Sequence, residues 1–283
     1  MTKLRLALPN KGRMADELAT LFDDAGLAIR RPGGDRALVA PINDDFEAIF
    51  VRSQDIAEFV ADGVADAGVT GWDLICESGA QLDCLLDLEL AKCRLALATS
   101  DTSEIRSLAD IGPGTRVATS FPNLARIFFS QIPLDIEIAP ISGAAEIAPR
   151  LGLAELVLDL VSTGSTMQLN QLRELATVLE SSARLVSRER SPELDNLVLA
   201  LSSVLSARGR RYLMANVTRD QLDEACKLLP GISGPTVMNI LNHDDLVAVH
   251  AVVEQSEVYS TVSCLKALGA QGIVITRLER LVL

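Results

Sequence analysis

The stretch Leu156-Val-Leu-Asp-Leu-Val-Ser-Thr-Gly-Ser-Thr-Met167 decides the fold, because an apolar run leads directly into a loop rich in hydroxyl groups. The pattern predicts a buried strand, a tight loop and a helix that runs on through Leu172. Backbone N–H groups at a helix N-terminus attract anions, and Gly164 lets the backbone approach a ligand closely. The residues that the loop offers to a phosphate are Ser162, Thr163, Gly164, Ser165 and Thr166.

One acid, Asp159, lies within the apolar run. Burying a carboxylate without a partner is costly, so a ligand or a partner group is expected beside it. From the end of the strand, Asp159 can hold sugar hydroxyls while the loop holds a phosphate, which is the arrangement that a phosphoribosyl donor needs. The alternative is that the loop only caps the following helix.

The composition describes a globular protein with an aliphatic core. The chain has 283 residues, enough for two or three domains, with 48% hydrophobic and only 4% aromatic residues. The formal net charge of −12 argues against a nucleic-acid binder. An anionic substrate must therefore be captured by helix N-termini, a few cations or a divalent metal.

Cysteine, histidine and hydropathy patterns exclude other classes. Five cysteines without C-x-x-C spacing and two histidines make a zinc site improbable, and free thiols are expected instead. An apolar signal core and an apolar span of 18 residues are both absent from the sequence. We therefore expect a soluble, cytoplasmic chain that binds neither membrane nor nucleic acid.

Strand and helix patterns alternate through the first two thirds of the chain, which predicts an α/β fold with largely parallel sheets. This part includes a predicted helix over 144–151 and a predicted strand over 176–186. After Arg208-Gly-Arg-Arg211 the order becomes βαββαβ, which is typical of a ferredoxin-like module of about 70 residues.

Four further strand ends carry charged side chains, and ligands of open α/β folds gather at the carboxyl ends of strands. Lys11 and Arg13 follow the first strand and can reach a polyphosphate. The other three candidates are Arg52, Asp73 and Glu146. Taken singly, the cations are explained as solvated charges and the acids as capping or dipole-compensating groups.

Together, these strand ends and the motifs around them resemble the long form of ATP phosphoribosyltransferase, and the resemblance covers essentially the whole chain. Each matching motif is moderately specific, whereas their order and spacing are highly specific. The motifs are Leu8–Arg13, Arg52–Ile56, Gly68–Asp73, Ala118–Leu124, Gly143–Ala154, Asp159–Thr166, Leu229–Val237 and Leu265–Ala270.

The resemblance implies two α/β domains that flank a catalytic cleft, in the bilobal topology of periplasmic binding proteins, followed by a C-terminal ferredoxin-like (βαββαβ) regulatory domain. Catalytic domain I is expected over residues 1–98 with 180–208, and catalytic domain II, with the donor loop, over 99–179. The regulatory domain is expected over 212–283 and should bind histidine.

The activity implied is pentosyl transfer at the first step of histidine biosynthesis. N1 of ATP attacks C1 of phosphoribosyl pyrophosphate (PRPP), pyrophosphate leaves, and histidine inhibits by feedback. Mg²⁺ is the implied cofactor, bound mainly through substrate phosphates, with Glu146 or Asp159 as candidate ligands. The resemblance also implies a homo-oligomer, a dimer that associates further to a hexamer.

The resemblance also assigns roles to residues. The loop over Thr163–Thr166 would hold the 5′-phosphate, and Asp159 with Glu146 would hold ribose hydroxyls or the metal. The residues expected to face polyphosphate or the developing charge on pyrophosphate are Lys11, Arg13 and Arg52. The candidates for binding histidine, chosen at strand ends and in a polar loop, are Asn216, Ile232, Ser233, Thr236 and Gly272.

Two rival functions remain open at this point. Prephenate dehydratase also joins a bilobal α/β pair to a ferredoxin-like module, but dehydration leaves the segment Asp159–Thr166 without a role. A non-catalytic bilobal sensor of a small anion needs neither paired carboxylates nor a regulatory domain.

Overall fold

The computed structural model describes residues 3–31, 34, 37–132 and 134–283, apart from the side chain of Thr166. The chain forms two compact units, Met1–Val198 and Leu199–Leu283. Among the described helices, none combines the length and the apolar character needed to cross a bilayer.

The described part of the chain contains strands and helices in the alternation that the sequence predicts. The strands are Leu4–Pro9 (β1), Val39–Pro41 (β2), Phe46–Val51 (β3), Ala67–Gly71 (β4), Asp83–Asp87 (β5), Cys93–Ser100 (β6), Thr115–Thr119 (β7), Ile136–Pro140 (β8), Leu156–Val161 (β9), Leu172–Ser181 (β10), Ala183–Ser187 (β11), Arg210–Thr218 (β12), Thr236–Ile240 (β13), His243–Glu254 (β14) and Gln271–Arg277 (β15). The α-helices are Arg13–Asp24 (α1), Ile56–Ala61 (α2), Trp72–Ser78 (α3), Pro122–Ser130 (α4), Ser165–Leu169 (α5), Pro192–Ala207 (α6), Leu222–Leu228 (α7) and Val258–Ala267 (α8).

The first unit contains two sheets, and we call each sheet with its helices a lobe. The first lobe has the strand order β2-β3-β1-β4-β11-β5, and the second has β10-β6-β9-β7-β8. Parallel pairs join β1 to β3 and β4, and β7 to β8 and β9. The strands β10 and β11 pair antiparallel with their neighbours, as do β2 with β3 and β6 with β9. The prediction of largely parallel sheets is therefore wrong, and both sheets are mixed.

The chain passes between the lobes twice, which gives the bilobal topology that the resemblance implied. It leaves the first lobe after β5 and returns between β10 and β11. Because β6 begins at Cys93 and pairs within the second sheet, residues 93–98 lie in the second lobe rather than in the first, where the expected boundary at 98 put them.

Two predictions of continuous elements across 144–151 and 176–186 are wrong. The first range contains a 3-10 turn at Ala145–Ile147 followed by hydrogen-bonded turns, since Pro149 has no N–H to continue a helix. The second range is split at Ser182, where the chain passes from one sheet to the other.

The helix after the hydroxyl-rich loop is shorter than the sequence pattern indicates. It ends at Leu169, and the strand β10 begins at Leu172. Gln171, at a φ of 53°, makes the turn between them. The apolar side chains that suggested a longer helix therefore divide between a helix and a strand.

The second unit has the predicted ferredoxin-like arrangement. Its sheet order is β13-β14-β12-β15, and every pair is antiparallel. Alternate residues of β12 and β14 point into a core with α7 and α8, formed by Leu213, Ala215, Val217, Val247, Val249, Ala225 and Leu265. The opposite face carries Tyr212, Met214 and Asn216, which are half-buried.

Candidate active site

Asp159 and Glu146 come together at the carboxyl end of β9. Burial raises the pKa of Asp159 above its ordinary value, and the neighbouring Glu146 carboxyl raises it further, against one hydrogen bond from the N–H of Leu160. Both acids line a small pocket with Ala96 and Met167. Two carboxyls held this close form a site suited to hydroxyl groups or a cation.

The hydroxyl-rich loop follows Asp159 directly. Gly164 adopts a φ of 79°, a conformation that favours glycine, and a Cβ there would touch nothing within 4 Å. The hydroxyl groups of Thr163 and Ser165 lie 2.9 Å apart, and Ser162 is also exposed. The side chain of Thr166 lies outside the described part. Because α5 has only five residues, the groups that the loop offers to an anion are its hydroxyls and backbone N–H groups rather than a helix dipole.

Lys11 and Arg13 lie at the carboxyl end of β1 in the first lobe. Lys11 is exposed and lines a cleft where the guanidinium carbon of Arg31 stands 3.3 Å above the ring centroid of Phe50. Arg13 is 3.6 Å from Glu17. Burial raises the pKa of the Cys93 thiol at the start of β6, and the positive charge of Arg13 is one of the weaker influences that oppose this shift.

Arg52 and Asp73 follow β3 and β4, at the same edge of the first sheet. Arg52 is exposed and precedes a 3-10 turn. Asp73 is 3% exposed, and it accepts a short hydrogen bond from the hydroxyl of Ser181, whose oxygen accepts from the N–H of Asp73 at 3.0 Å. Burial raises the pKa of Asp73. The geometry favours the capping explanation for Asp73 over a place in an open cleft.

Gly71 is required by the position of Asp73. A Cβ on Gly71 would lie 2.3 Å from Oδ1 of Asp73, so the carboxyl group folds back over the helix N-terminus. The motif Gly71-Trp-Asp73 therefore holds α3 against Ser181, at the end of β10, where the chain passes between the lobes.

The five candidates for histidine binding fall into two groups. Asn216 and Gly272 adjoin on β12 and β15, where the amide nitrogen of Asn216 would be 3.1 Å from a Cβ on Gly272. Ile232, Ser233 and Thr236 lie at and before β13, the opposite edge of the sheet. Two strand spacings, roughly 10 Å, separate Thr236 from Asn216, so one chain does not bring the five together.

Sequence reasoning missed three pairs whose partners are far apart in the chain. Arg94 forms an ion pair with Glu174, Glu77 caps the first turn of α4, and Tyr212 forms a hydrogen bond with His250. The separations of 80, 47 and 38 residues leave no local signal. Groups of three or more His, Cys, Asp or Glu that could hold a metal are absent from the described residues.

Comparison with known proteins gives the family. Residues 52–206 match the family model described as HisG: ATP phosphoribosyltransferase, and residues 207–280 match that of HisG, C-terminal domain. The ATP phosphoribosyltransferase of Gemmatimonas aurantiaca is 54% identical over 99% of both chains.

The comparison with solved structures includes a member of the same family. The ATP phosphoribosyl transferase (HisG:HisZ) complex from Thermotoga maritima matches at 25% identity and a TM-score of 0.61, over 70% of this chain and 96% of that one. A putative L-cystine ABC transporter from Listeria monocytogenes, at 12% identity, a TM-score of 0.52 and coverage of 73% and 91%, shares the fold alone. The chain is a pentosyltransferase and belongs to the ATP phosphoribosyltransferase family.

Proposed function

We propose that the chain transfers the phosphoribosyl group of PRPP to N1 of ATP and releases pyrophosphate, as the first step of histidine biosynthesis. The observation that carries the proposal is the pair Asp159 and Glu146 beside the exposed loop Ser162–Ser165. Dehydration of a carboxylate substrate leaves this pairing of acids and hydroxyls unexplained.

Different residues bind different parts of the donor PRPP. The loop holds the 5′-phosphate through hydroxyl and backbone groups, and Asp159 with Glu146 accepts hydrogen bonds from the ribose hydroxyls. The polyphosphates contact three cations at the strand ends of the first lobe, which are Lys11, Arg13 and Arg52. Direct displacement at C1 needs alignment and charge stabilisation rather than a general base, and the two histidines of the chain lie outside these motifs.

The site fits Mg²⁺ held mainly by substrate phosphates. Asp159 and Glu146 are hard oxygen donors whose mutual repulsion a cation relieves, and Mg²⁺ commonly takes one or two carboxylates together with phosphate oxygens. When bound, the ion supplies positive charge to the departing pyrophosphate.

We further propose that the second unit is the histidine-binding regulatory domain and that the chain is a homo-oligomer. Gly272 lies on the edge strand β15 with Asn216 on the strand next to it, and Ile232 and Thr236 lie at the opposite edge. A site that uses both groups therefore takes one side of the sheet from each of two copies. The division into domain I (1–98 with 180–208), domain II (99–179) and a regulatory domain stays a proposal, with the lobe boundary moved before Cys93.

The test is a mixture of the chain with ATP, PRPP and Mg²⁺, followed by the absorbance of a new adenine adduct and by pyrophosphate release. We expect both signals in equal amounts, and neither when ATP or PRPP is omitted. Pyrophosphate without an adduct would indicate hydrolysis. Neither signal, with binding of a small anion, would favour the sensor.

A further inference from the structure

The helix α3 follows the first lobe in sequence but packs against the second. It begins at Trp72, directly after the last residue of β4, so no loop separates it from the first sheet. Two of its side chains, Leu74 and Cys76, pack against the core of the second lobe. A change in the angle between the lobes must therefore bend the chain where β4 meets α3, or separate α3 from the second lobe.

The carboxylate of Glu77 attaches the far end of α3 to the second lobe. One carboxylate oxygen accepts the backbone N–H of Asn123 and the other accepts that of Leu124, both at 2.9 Å. The side-chain amide of Asn123 donates to the backbone carbonyl of Glu77, also at 2.9 Å. These N–H groups belong to the first turn of α4, where the N-cap residue is Phe121, whose apolar side chain cannot accept them. One residue of α3 thus holds the start of a helix in the other lobe.

The start of α4 is connected to the strand that carries Asp159. The buried hydroxyl of Thr119 accepts the N–H of Phe121 at 2.9 Å and donates to the carbonyl of Leu158 at 2.7 Å. Leu158 is the residue before Asp159 on β9. The hydrogen bonds of Glu77 therefore act on the part of the second lobe that contains the candidate site.

Two attachments along α3 resist bending, whereas one alone would act as a hinge. Asp73 binds Ser181 where the chain returns from the second lobe to the first. Glu77 lies four residues further along the helix, roughly 6 Å away at the rise of an α-helix. A rotation of the lobes about the crossing at Ser181 can keep the first attachment but pulls the Glu77 carboxylate from α4. Rotation of this kind is how bilobal folds close around a ligand.

We propose that Glu77 is a positioning residue that fixes the angle between the lobes for the transfer reaction. This rests on the proposed function. The donor's ribose and 5′-phosphate bind to Asp159 and the loop of the second lobe, whereas Lys11 and Arg52 lie on the first lobe. Transfer needs groups from both lobes in alignment, and a misplacement of about 1 Å can cost on the order of 100-fold in rate. A ligand that uses the second lobe alone needs no such alignment.

Turnover and single-lobe binding, both measured on the full chain well below its melting temperature, test this role. Glu77→Ala loses both acceptors and should lower kcat tenfold or more with saturating ATP, PRPP and Mg²⁺. Its affinity for ribose 5-phosphate, measured by calorimetry, should stay within twofold, because Asp159 and the loop belong to one lobe. Glu77→Gln keeps one acceptor and should recover part of the lost kcat. Circular dichroism checks that each variant is folded, and Glu77→Gln carries the same test if Glu77→Ala is not.

The matched control is Asp110→Asn, which weakens a cap contained within the second lobe. Asp110 accepts the N–H groups of Arg106 and Ser107 at 3.0 and 2.9 Å. The control should melt at a lower temperature and keep kcat within twofold.

Three results would show the assignment to be wrong while the proposed function stands. The Glu77 variants could keep the parent's kcat, they could lose affinity for ribose 5-phosphate as much as kcat, or the control could lose kcat equally. A parent that forms no adduct of ATP and PRPP overturns both.

Discussion

At the residue scale, the Asp159 carboxyl has conflicting roles in folding and in binding. Its pKa is raised by burial and by Glu146, so the folded chain holds the proton more tightly than the unfolded chain does. The stability that follows is fully present at low pH and is lost as the pH rises through the folded pKa. Above the folded pKa the charged acid is therefore kept at a cost in stability, as expected of a group that serves a ligand.

Asp159→Asn should separate these roles. The amide imitates the neutral acid, so the melting temperature at pH 8 should stay the same or rise, while kcat/KM for PRPP falls. Loss of hydrogen bonds to a charged acceptor is worth roughly 1.5–3 kcal/mol, or about 10- to 150-fold in rate. Thermal unfolding and turnover should be measured on one sample at pH 5 and pH 8.

Asp110→Asn is the control, because folding lowers the pKa of Asp110 whereas it raises the pKa of Asp159. Backbone N–H groups of Arg106 and Ser107 and the Ser107 hydroxyl lower the pKa of Asp110. Its contribution is present at neutral pH and lost as the pH falls through the folded pKa. The variant should melt lower at pH 8 with turnover unchanged. An Asp159→Asn variant that melts lower at pH 8 and keeps its turnover would make Asp159 structural.

At the scale of elements, α3 bridges the two lobes from both of its ends. At its start, Asp73 binds Ser181 at the end of β10. Near its end, Glu77 accepts the backbone N–H groups of Asn123 and Leu124 at 2.9 Å, with one carboxylate oxygen for each. The helix α4 has no side-chain cap of its own at Phe121, so its first turn depends on an acid from the other lobe.

Glu77→Gln should therefore destabilise the first unit. The amide nitrogen cannot accept, so one N–H of α4 loses its partner, at a cost of about 1–2 kcal/mol. Urea unfolding measures the loss, and hydrogen exchange should show it first at Asn123 and Leu124. Glu137→Gln, which removes an exposed pair with Arg116, should cost less than about 0.5 kcal/mol. Equal effects in the two variants would mean that the cap contributes nothing.

The elements also show what could be read from the sequence. The strand Ala67–Gly71, followed directly by α3 from Trp72, is an example of the alternation of strands and helices that the sequence predicts. The strands β5 and β2 were missed because they are short and mostly exposed. The pairing of β11 with β4 and β5 could not be predicted, since partners roughly 100 residues apart in the chain leave no local periodicity.

The candidate site shows the same difference between features that local sequence predicts and features that depend on distant partners. The proximity of Asp159 and Glu146 could be predicted, because strand ends converge at one sheet edge, and the loop is contiguous with Asp159 in the sequence. For Asp73 the sequence leaves a ligand-binding role and a capping role open, since only the tertiary structure reveals Ser181 as its partner. The ion pair of Arg94 with Glu174 left no signal in the sequence, because its partners lie 80 residues apart.

At the scale of the whole molecule, the proposed inhibition by histidine requires coupling between the second unit and the catalytic lobes. Such coupling is typically 1–3 kcal/mol and is reciprocal for binding. Histidine should then weaken substrate binding by the same factor, about 5- to 150-fold, by which substrate weakens histidine binding. The single variants Asn216→Ala and Thr236→Ala should each lose histidine binding and keep their uninhibited turnover.

Mixing these two variants tests whether the effector site lies between copies. Asn216 belongs to β12, beside the edge strand β15, and Thr236 to the opposite edge strand β13. A copy with Asn216→Ala keeps an intact β13 edge, and a copy with Thr236→Ala keeps an intact β15 side. If each site takes one edge from each of two copies, a junction between these two intact edges forms a complete site. Random, equal mixing restores about a quarter of the junctions. Calorimetry on co-expressed, mixed oligomers should therefore recover about a quarter of the parent's histidine sites at parental affinity. Recovery of none, with mixed oligomers verified by mass, would place the whole site within one chain.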